Sequence, residues 1–375
     1  METEKFSLKD HLFHEAKVAK LASEITHIYA GFRGKAFVKE VIQAFPQLEL
    51  KERIYHITSC LNKYLPFAYN EAVGILVRAL PQPCNPDLTD NDFGDFIYAP
   101  YAHFIAVYGC KEMYLQTSLA ALEQITMRFS AEDAIRYFIN AFPEPTLAQM
   151  QLWATHKHYH VRRLACEGLR PKLPWCQKIH LPIASALPVL NLLHADNTRF
   201  VTRSVANHLN DISKTHPSMV IATLQDWKSQ AIQTDAELSF IIKHALRTLI
   251  KEGNPEALQL VGIGSDPAIK MLAFELTQEL KFNDYLSFKF ELLALDDCRL
   301  MLDYVLYFKS KNGQLSRKKV FKIKQLSLKK GETILVQKAQ QLKEKMSTRI
   351  LYPGDQGFEL QINGAAVWKG SFGLF

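Results

Sequence analysis

Charged and polar side chains recur at intervals of forty residues in the middle of the chain. The two columns that they form are Arg163, Arg203 and Lys243, and Glu167, Asn207 and Arg247. Within a unit the members stand four residues apart, as does Asp211 after Asn207, so they share one side of a helix. Stacked units would align them into a cationic surface that contains two carboxylates. This pattern predicts a surface that binds a polyanion.

The elements that must carry these side chains are helices. A period of forty residues is typical of stacked helix pairs of the HEAT type. Between about residues 12 and 260 the apolar residues follow three- and four-residue spacings, which predicts an all-α array. Ser130 followed by Asp133 has the form of an N-terminal capping box, which would place Glu132 in the first turn of a helix.

After Gly262 the apolar pattern changes to strict alternation, as in residues 286–292 and 302–308. Period two is typical of half-buried strands, and the pairs Asn312-Gly313 and Asn363-Gly364 indicate hairpin turns. About seven short strands predict an antiparallel sandwich of the immunoglobulin type. We therefore expect an all-α HEAT-like repeat solenoid over residues 1–262, followed by an all-β immunoglobulin-like sandwich over residues 263–375.

Residues 304–331 contain no acid between Tyr304 and Gly331 although they are rich in lysine. Cations gathered without compensating acids supply salt-sensitive, sequence-independent affinity for nucleic acid. The positions that we expect to contact phosphates are Arg317, Lys318 and Lys319. The alternative is an edge strand on which lysine deters pairing between sheets.

The composition favours a protein of a reducing compartment. The chain has 375 residues, 48% hydrophobic content and a formal net charge of +7. Its six cysteines include no CxxC pair, which argues against a disulfide framework. We find no secretory signal at the start and no apolar run of about eighteen residues that would span a membrane. A cytoplasmic location is the expectation.

Three segments carry a resemblance to a known family. They read WATHKHYHVRRLACEGLRPKLPW at 153–175, RSVANHLNDISKTHP at 203–217 and FSAEDAIRYF at 129–138. Together they resemble the AlkC branch of the AlkD-like DNA alkylation-repair glycosylases, and the likeness extends over nearly the whole chain. The family's VRRLASEG reads VRRLACEG here, so Cys166 replaces a serine of similar size and the charged positions are kept.

The resemblance implies a DNA glycosylase that removes N3-methyladenine and N3-methylcytosine by hydrolysing the N-glycosidic bond. It implies no metal or organic cofactor, double-stranded DNA with alkylated bases as partner, and a monomer that reaches the nucleoid through DNA. Such bases are already cationic and leave as neutral molecules. Carboxylates are then needed mainly to stabilise an oxocarbenium-like sugar and to orient water. No signature places a reactive lysine at the sugar, so we expect a monofunctional enzyme.

By resemblance, the catalytic acids are Glu132, Asp211 and Glu167. Each also has a structural interpretation. Glu132 could stabilise a helix dipole, Glu167 could pair with Arg163 on the helix surface, and Asp211 could cap the turn at Ser213.

Phosphate contacts are expected from the basic and amide side chains of the repeat. They are Arg162, Arg163, Arg170, Arg203, Asn207, Lys243 and Arg247. Trp175, in a proline-rich turn, could stack on sugar or base, whereas Trp153 occupies a core position of the repeat.

A histidine cluster offers an alternative to the metal-free site. The alternating residues His156, His158 and His160, with Cys166 nearby, suggest a zinc site, but a connection between helices would scatter them, so we expect no metal.

A non-catalytic repeat module that only binds nucleic acid or protein is the alternative function. Carboxylates inside a cationic face favour the enzyme, because a pure phosphate binder would gain by losing them. An open groove would capture the sugar-phosphate and leave selectivity to the charge of the base.

Overall fold

The computed structural model describes residues 7–87, 93–346 and 349–375. Helices precede strands along the chain. Helices α1 to α8 span Leu8–Leu12, Glu15–Ile28, Gly34–Ala44, Leu50–Tyr64, Tyr69–Arg78, Ala99–Gly109, Leu115–Thr126 and Ile135–Ala141. Helices α9 to α16 span Pro143–Trp153, Tyr159–Glu167, Leu187–Leu193, Arg199–Ser213, Pro217–Gln230, Asp235–Ala245, Arg247–Lys251 and Pro255–Leu260. In the described residues, no helix has both the length and the apolar character needed to cross a bilayer.

The forty-residue period corresponds to three helices that pack in succession, α10, α12 and α14. The residues that set its register, Val161, Val201 and Ile241, are fully buried. Because these residues face the apolar core, the charged residues of the same helices lie on their other sides. The predicted helical-repeat class is confirmed for this half of the chain.

Two local predictions in the helical part are wrong. Helix α14 ends at Ala245 and Arg247 begins α15, because buried Leu246 takes φ −88° and ψ 1°, outside the helical range. Lys243 and Arg247 therefore do not lie on one helix. Glu132 lies in a turn before α8, which begins at Ile135. No capping box forms, because the Ser130 hydroxyl donates to Glu132 instead of capping a helix.

Strands β1 to β10 follow the helices. They span Ile269–Leu276, Glu279–Leu280, Tyr285–Ala294, Cys298–Lys309, Leu315–Leu328, Thr333–Gln341, Lys345–Met346, Arg349–Ile350, Gly354–Ile362 and Ala365–Leu374. One sheet has the order β1-β3-β6 and a second the order β2-β10-β9-β4-β5, while β7 and β8 pair separately. The pairs are antiparallel except β10 with β2.

The core of the strand region is built from the alternating residues. Phe288, Phe290, Tyr304 and Phe358 are buried together, with the Phe288 and Phe358 rings 4.9 Å apart. Burial of the apolar side of each strand is the main favourable contribution to the folding free energy of this region. The predicted all-β immunoglobulin-like class is confirmed.

Both predicted hairpin turns are present. The Asn312-Gly313 pair lies between β4 and β5, and Asn363-Gly364 lies between β9 and β10, with φ values of 50° and 78°. A Cβ atom on Gly364 would lie 2.2 Å from the Gly253 Cα atom, so no other residue fits there without movement. The left-handed backbone and this close approach both require glycine.

The chain forms two compact units. The first comprises Met1–Thr215 and Trp227–Ala245, and the second His216–Asp226 and Leu246–Phe375. Inside the second unit, Leu258 and Ile263 share a small apolar core with Met301 of β4. Helices α15 and α16 therefore group with the strands, and the domain boundary at residue 262 stays a prediction.

Candidate active site

Helix α10 presents its functional side chains through its own periodicity. The helix begins after His158, whose Nδ1 atom accepts a hydrogen bond of 3.2 Å from the main-chain N–H of His160. Val161 and Leu164 point into the core. Arg163 and Glu167, four residues apart, consequently lie together on another side of the helix.

Acids and bases alternate in a continuous row of side chains, which we call the charge row. Its members, in spatial order, are Glu132, Arg163, Glu167, Arg170, Asp211 and Lys214. They come from the turn before α8, from α10 and the segment after it, and from α12 with its C-terminal end. The row brings all three predicted catalytic acids together.

Glu132 stands at one end of the charge row. Its Oε2 atom accepts hydrogen bonds of 2.7 Å from Ser130 and 2.9 Å from Arg163 Nη1. The Arg163 guanidinium also lies 4.6 Å over the ring of Phe200, which holds it in place. Among the described residues, every hydrogen bond and ion pair of Glu132 ends on Oε2, and 27% of its side chain is exposed. Its Oε1 atom takes part in none of these contacts.

Glu167 lies at the centre of the charge row and is only 4% exposed. One carboxylate oxygen accepts from Arg170 and lies 3.7 Å from Arg163 Nη2, while the other accepts from the hydroxyl of Ser204. Burial alone would raise the pKa of Glu167, but the charges of Arg163 and Arg170 outweigh it, and the pKa is lowered. The group is therefore anionic at neutral pH, with both oxygens occupied.

Asp211 is the third acid and is 6% exposed. Its Oδ2 atom accepts hydrogen bonds of 3.0 and 2.8 Å from Nε and Nη2 of Arg170, and its Oδ1 atom accepts one of 3.1 Å from Lys214. Arg170 thus joins the two buried acids. Direct access to Asp211 requires displacement of the more exposed Lys214.

A pocket of about 150 Å³ opens beside Glu132. Its walls come from the N-terminal ends of α4 and α6, from residues 129–134 and from the segment after α10. The lining side chains that carry aromatic, polar or charged groups are Lys51, Tyr55, Phe96, His103, Phe129, Ser130, Glu132, Asp133, Trp175 and Cys176. A concave aromatic pocket lies where the sequence had suggested an open groove.

Trp175 forms part of this pocket and is 71% exposed. Its backbone adopts φ 65°, in the left-handed region that residues with a side chain seldom occupy. The Lys51 ammonium donates to its main-chain carbonyl. Trp153, in contrast, is buried and donates through Nε1 to Glu123 at 2.7 Å, so its predicted core role is confirmed.

Sequence reasoning missed four further pocket residues, Lys51, Tyr55, His103 and Asp133. The rings of Tyr55 and His103 stack with centroids 4.6 Å apart, and burial lowers the pKa of His103, so that ring is neutral. Asp133 lies in the FSAEDAIRYF segment, so the family resemblance could have indicated it as a site residue. Tyr55 and His103 lie in unrelated stretches of sequence that only folding brings together.

The pocket wall at Phe129 depends on a glycine. Gly94 forms an isolated antiparallel bridge with Phe129 and has φ +72°. A Cβ atom on Gly94 would lie 1.8 Å from the carbonyl oxygen of Arg128, which no side chain could tolerate. The close approach of these two backbones fixes the segment that leads to Ser130 and Glu132.

The five N–H donors of Arg162 are all engaged inside the protein. They bond to both carboxylate oxygens of Asp196, to Asn197 and to the main-chain carbonyls of His156 and Lys157, at 2.5 to 3.3 Å. This geometry favours a role in fixing the start of α10. A phosphate would have to displace these bonds.

The remaining predicted contacts of the repeat are Arg203, Asn207, Lys243 and Arg247, none of which is fully buried. Arg203 and Asn207 of α12 are half-buried, and the Asn207 Oδ1 atom lies 2.9 Å from His244 Nε2. Lys243 is exposed, and Arg247 is half-buried. The Asn207–His244 contact links α12 to α14, and the phosphate contacts of these four side chains stay a prediction.

The basic segment forms β5, at the edge of the five-stranded sheet. Lys318 and Lys319 are exposed, opposite Tyr307 and Leu306 of β4. Arg317 occupies a position in the same strand, but its side chain lies outside the described residues. The edge position keeps both interpretations of these lysines open, nucleic-acid contact and protection of the sheet edge.

Ring nitrogens of the alternating histidines His156 and His158 contact the main chain. His156 accepts from the N–H of His158, while Nε2 of His158 lies 3.0 Å from the carbonyl oxygen of Cys84. Cys166 is buried and near His208 rather than near this group, and burial raises its thiol pKa to about 12. In the part of the chain that the structure describes, no three His, Cys, Asp or Glu side chains are arranged to hold a metal ion.

Comparison with known proteins follows the same two-part division. Residues 117–249 match the family model described as DNA alkylation repair enzyme. Residues 270–375 match the C-terminal Ig-like domain of the uncharacterised protein YhaZ. The protein YhaZ of Bacillus subtilis (strain 168), itself described as uncharacterised, is 33% identical over 360 residues, which cover 94% of this chain and 95% of that protein.

A solved structure matches the complete architecture. It is the alkylpurine DNA glycosylase AlkC of Pseudomonas fluorescens, bound to DNA that contains an abasic site analog. The TM-score is 0.86 at 30% identity, and the match covers 99% of this chain and 100% of that one. This chain belongs to the AlkC-type DNA alkylation-repair family. Both parts of the AlkC-type architecture, the helical repeat and the Ig-like domain, are therefore present, and the charge row lies in the segment that matches the repair model.

Proposed function

We propose that the protein is a monofunctional DNA glycosylase that hydrolyses the N-glycosidic bond of cationic alkylated bases, such as N3-methyladenine and N3-methylcytosine, in double-stranded DNA. The observation that carries this proposal is the charge row with the pocket at its Glu132 end. The likeness to the Pseudomonas glycosylase over almost the whole chain supports the same activity. The proposal needs no cofactor.

Glu132 is the carboxylate best placed to act on the sugar. It lines the pocket and Oε1 makes no hydrogen bond within the described residues, while Ser130 and Arg163 fix Oε2. A fixed carboxylate at about 4 Å stabilises an oxocarbenium-like sugar by on the order of 4 kcal/mol at an effective dielectric constant near 20. The same group can accept a proton from the attacking water.

Asp211 and Glu167 serve the reaction from inside the charge row. Both are buried and paired with Arg170, so neither touches the sugar while these ion pairs are intact. Asp211 becomes a second direct contact where phosphate draws Lys214 away. Glu167 holds Arg163 and Arg170 in place through ion pairs and is therefore a positioning residue.

The pairing inside the charge row disfavours the non-catalytic alternative. A surface that only holds phosphates would leave its arginines to the ligand. Here Arg163 and Arg170 are already bonded to carboxylates, which lowers their affinity for DNA phosphates. Carboxylates at this place are expected in an enzyme that stabilises a cation.

Neutralising Glu132 tests the proposal. Glu132→Gln should lower single-turnover base release from methylated duplex DNA roughly a thousandfold, since about 4 kcal/mol of transition-state stabilisation is lost. Asp211→Asn should lower it by a smaller factor. Glu40→Gln is the matched control, because Glu40 also accepts from a cation, Lys63, but lies outside the pocket. Abasic sites are counted at saturating protein, and unchanged rates in both variants would refute the site.

A second test compares lesions of similar size. The protein should release N3-methyladenine many-fold faster than the neutral base O6-methylguanine, because only the cationic base departs as a neutral molecule. Release is measured by chromatography of free bases at saturating protein. Equal rates would show that the charge of the base does not supply the selectivity.

A further inference from the structure

Arg136 of α8 is a buried arginine outside the charge row. Its side chain is 1% exposed, and its hydrogen bonds run to the backbone of the segment that follows α10. Nε donates to the carbonyl of Gln177 at 2.6 Å, and Nη1 donates to the carbonyls of Gly168 at 3.0 Å and Arg170 at 2.8 Å. Arginine remains protonated in proteins, so a complete positive charge is held beneath this segment.

Asn140 extends the same contact one helical turn later. Its Nδ2 atom donates to the carbonyl of Lys178 at 2.8 Å, and its Oδ1 atom accepts from the N–H of His180 at 3.1 Å. Residues four apart share one side of a helix. One side of α8 is thus bonded to the backbone at both ends of residues 168–180.

The segment that these two residues hold has no helix or strand of its own. It carries Arg170 of the charge row and the exposed ring of Trp175, whose left-handed backbone is unfavourable for a residue with a side chain. Such a conformation persists only where the surroundings fix it. The Cys176 N–H donates to the Leu173 carbonyl at 3.3 Å and closes a turn around Trp175. The bonds from Arg136 and Asn140 hold the chain on both sides of that turn, and Lys51 contacts the Trp175 carbonyl.

The same helix also continues directly from the turn that contains Glu132. Glu132 and Trp175 are both walls of the pocket. We propose that Arg136 and Asn140 are positioning residues that set the Trp175 segment against Glu132, so that α8 fixes both walls as one body. This inference rests on the proposed glycosylase function, because it assigns the geometry of that site.

The alternative is that Arg136 only stabilises the fold, and the test must separate the two. Arg136→Met removes the donors at similar length, while Arg136→Lys keeps the charge but loses the fork that reaches three carbonyls. Asn140→Ala changes a half-buried position. Arg53→Met is the matched control, since Arg53 is also buried and donates to main-chain carbonyls, those of Lys9, Phe13 and Phe45.

The first measurement needs no substrate. Hydrogen exchange of residues 168–180 should accelerate at least tenfold in Arg136→Met and in Asn140→Ala, and should be unchanged in Arg53→Met. Unchanged exchange in both α8 variants would overturn the inference, whether or not the wild type releases bases. An inactive wild type with accelerated exchange would instead refute the proposed function.

The second measurement is a double-mutant cycle on base release at saturating protein. Arg136→Met should lower the rate about 10- to 100-fold, since misplacement of a site by about 1 Å can cost about 10²-fold. In a Trp175→Ala background the same change should cost less than about threefold, because the positioned group is gone. Equal losses in both backgrounds would mean that Arg136 does not act through Trp175.

Discussion

Arg170 shows how much one residue can organise in this site. Each of its three guanidinium nitrogens donates to a carboxylate, one to Glu167 and two to Asp211. The sequence predicts that Arg163 and Glu167 meet, because they stand four apart on a helix. The Arg170 to Asp211 pair spans 41 residues, close to one repeat period, so periodicity brings the units together but does not specify the partner.

The buried acid Asp303 of β4 should make the stability of the fold depend on pH. It is 5% exposed, and burial raises its pKa to about 6, against the opposing charges of Lys322 and Lys251. A raised carboxyl pKa means that folding favours the protonated form. The stability that protonated Asp303 contributes to the fold is therefore complete below about pH 4. It is lost as the pH rises through about 6.

Asp303→Asn should therefore stabilise the protein at pH 7.5 by about 3 kcal/mol, the equivalent of a shift of about two pKa units. At pH 4 the variant and the wild type should have nearly equal stability. Denaturant unfolding at the two pH values gives the difference. A variant that is equally or less stable than the wild type at pH 7.5 would contradict a raised pKa at this position.

At the scale of elements, β5 joins a basic sequence to an exposed sheet edge. Its cationic side chains are predictable from composition, and its strand conformation from the turn signal at Asn312-Gly313. Its place at the edge is not, because strand order depends on contacts between distant strands. The same limit applies to the break at Leu246, where a buried side chain overrides a continuous helical pattern.

If the β5 lysines contact phosphates, their removal should change the salt dependence of DNA binding. Lys318→Gln with Lys319→Gln should reduce the slope of log affinity against log salt by up to about 1.8, since each phosphate contact contributes roughly 0.9. The double change Lys338→Gln and Lys343→Gln, at exposed lysines outside β5, is the control. A slope that stays the same would favour protection of the sheet edge.

At the scale of the whole molecule, the change from helical to alternating periodicity was enough to predict both fold classes and their order. The candidate catalytic acids are predicted from the family signatures, and Trp175 from its proline-rich turn. The pocket itself was not predictable, because its walls come from residues 50–55, 96–103, 129–134 and 174–176. Only the packing of several helices and a segment without regular structure creates that concave surface.

The charge row has a consequence for how the protein meets its substrate. Its three acids and three bases cancel, so the row itself exerts little attraction on DNA at a distance. Long-range attraction has to come from lysines in solvent, whose effect salt weakens, whereas buried ion pairs are screened much less. DNA affinity and base release are therefore expected to be separable, because changes at surface lysines should alter binding whereas changes in the charge row should alter base release.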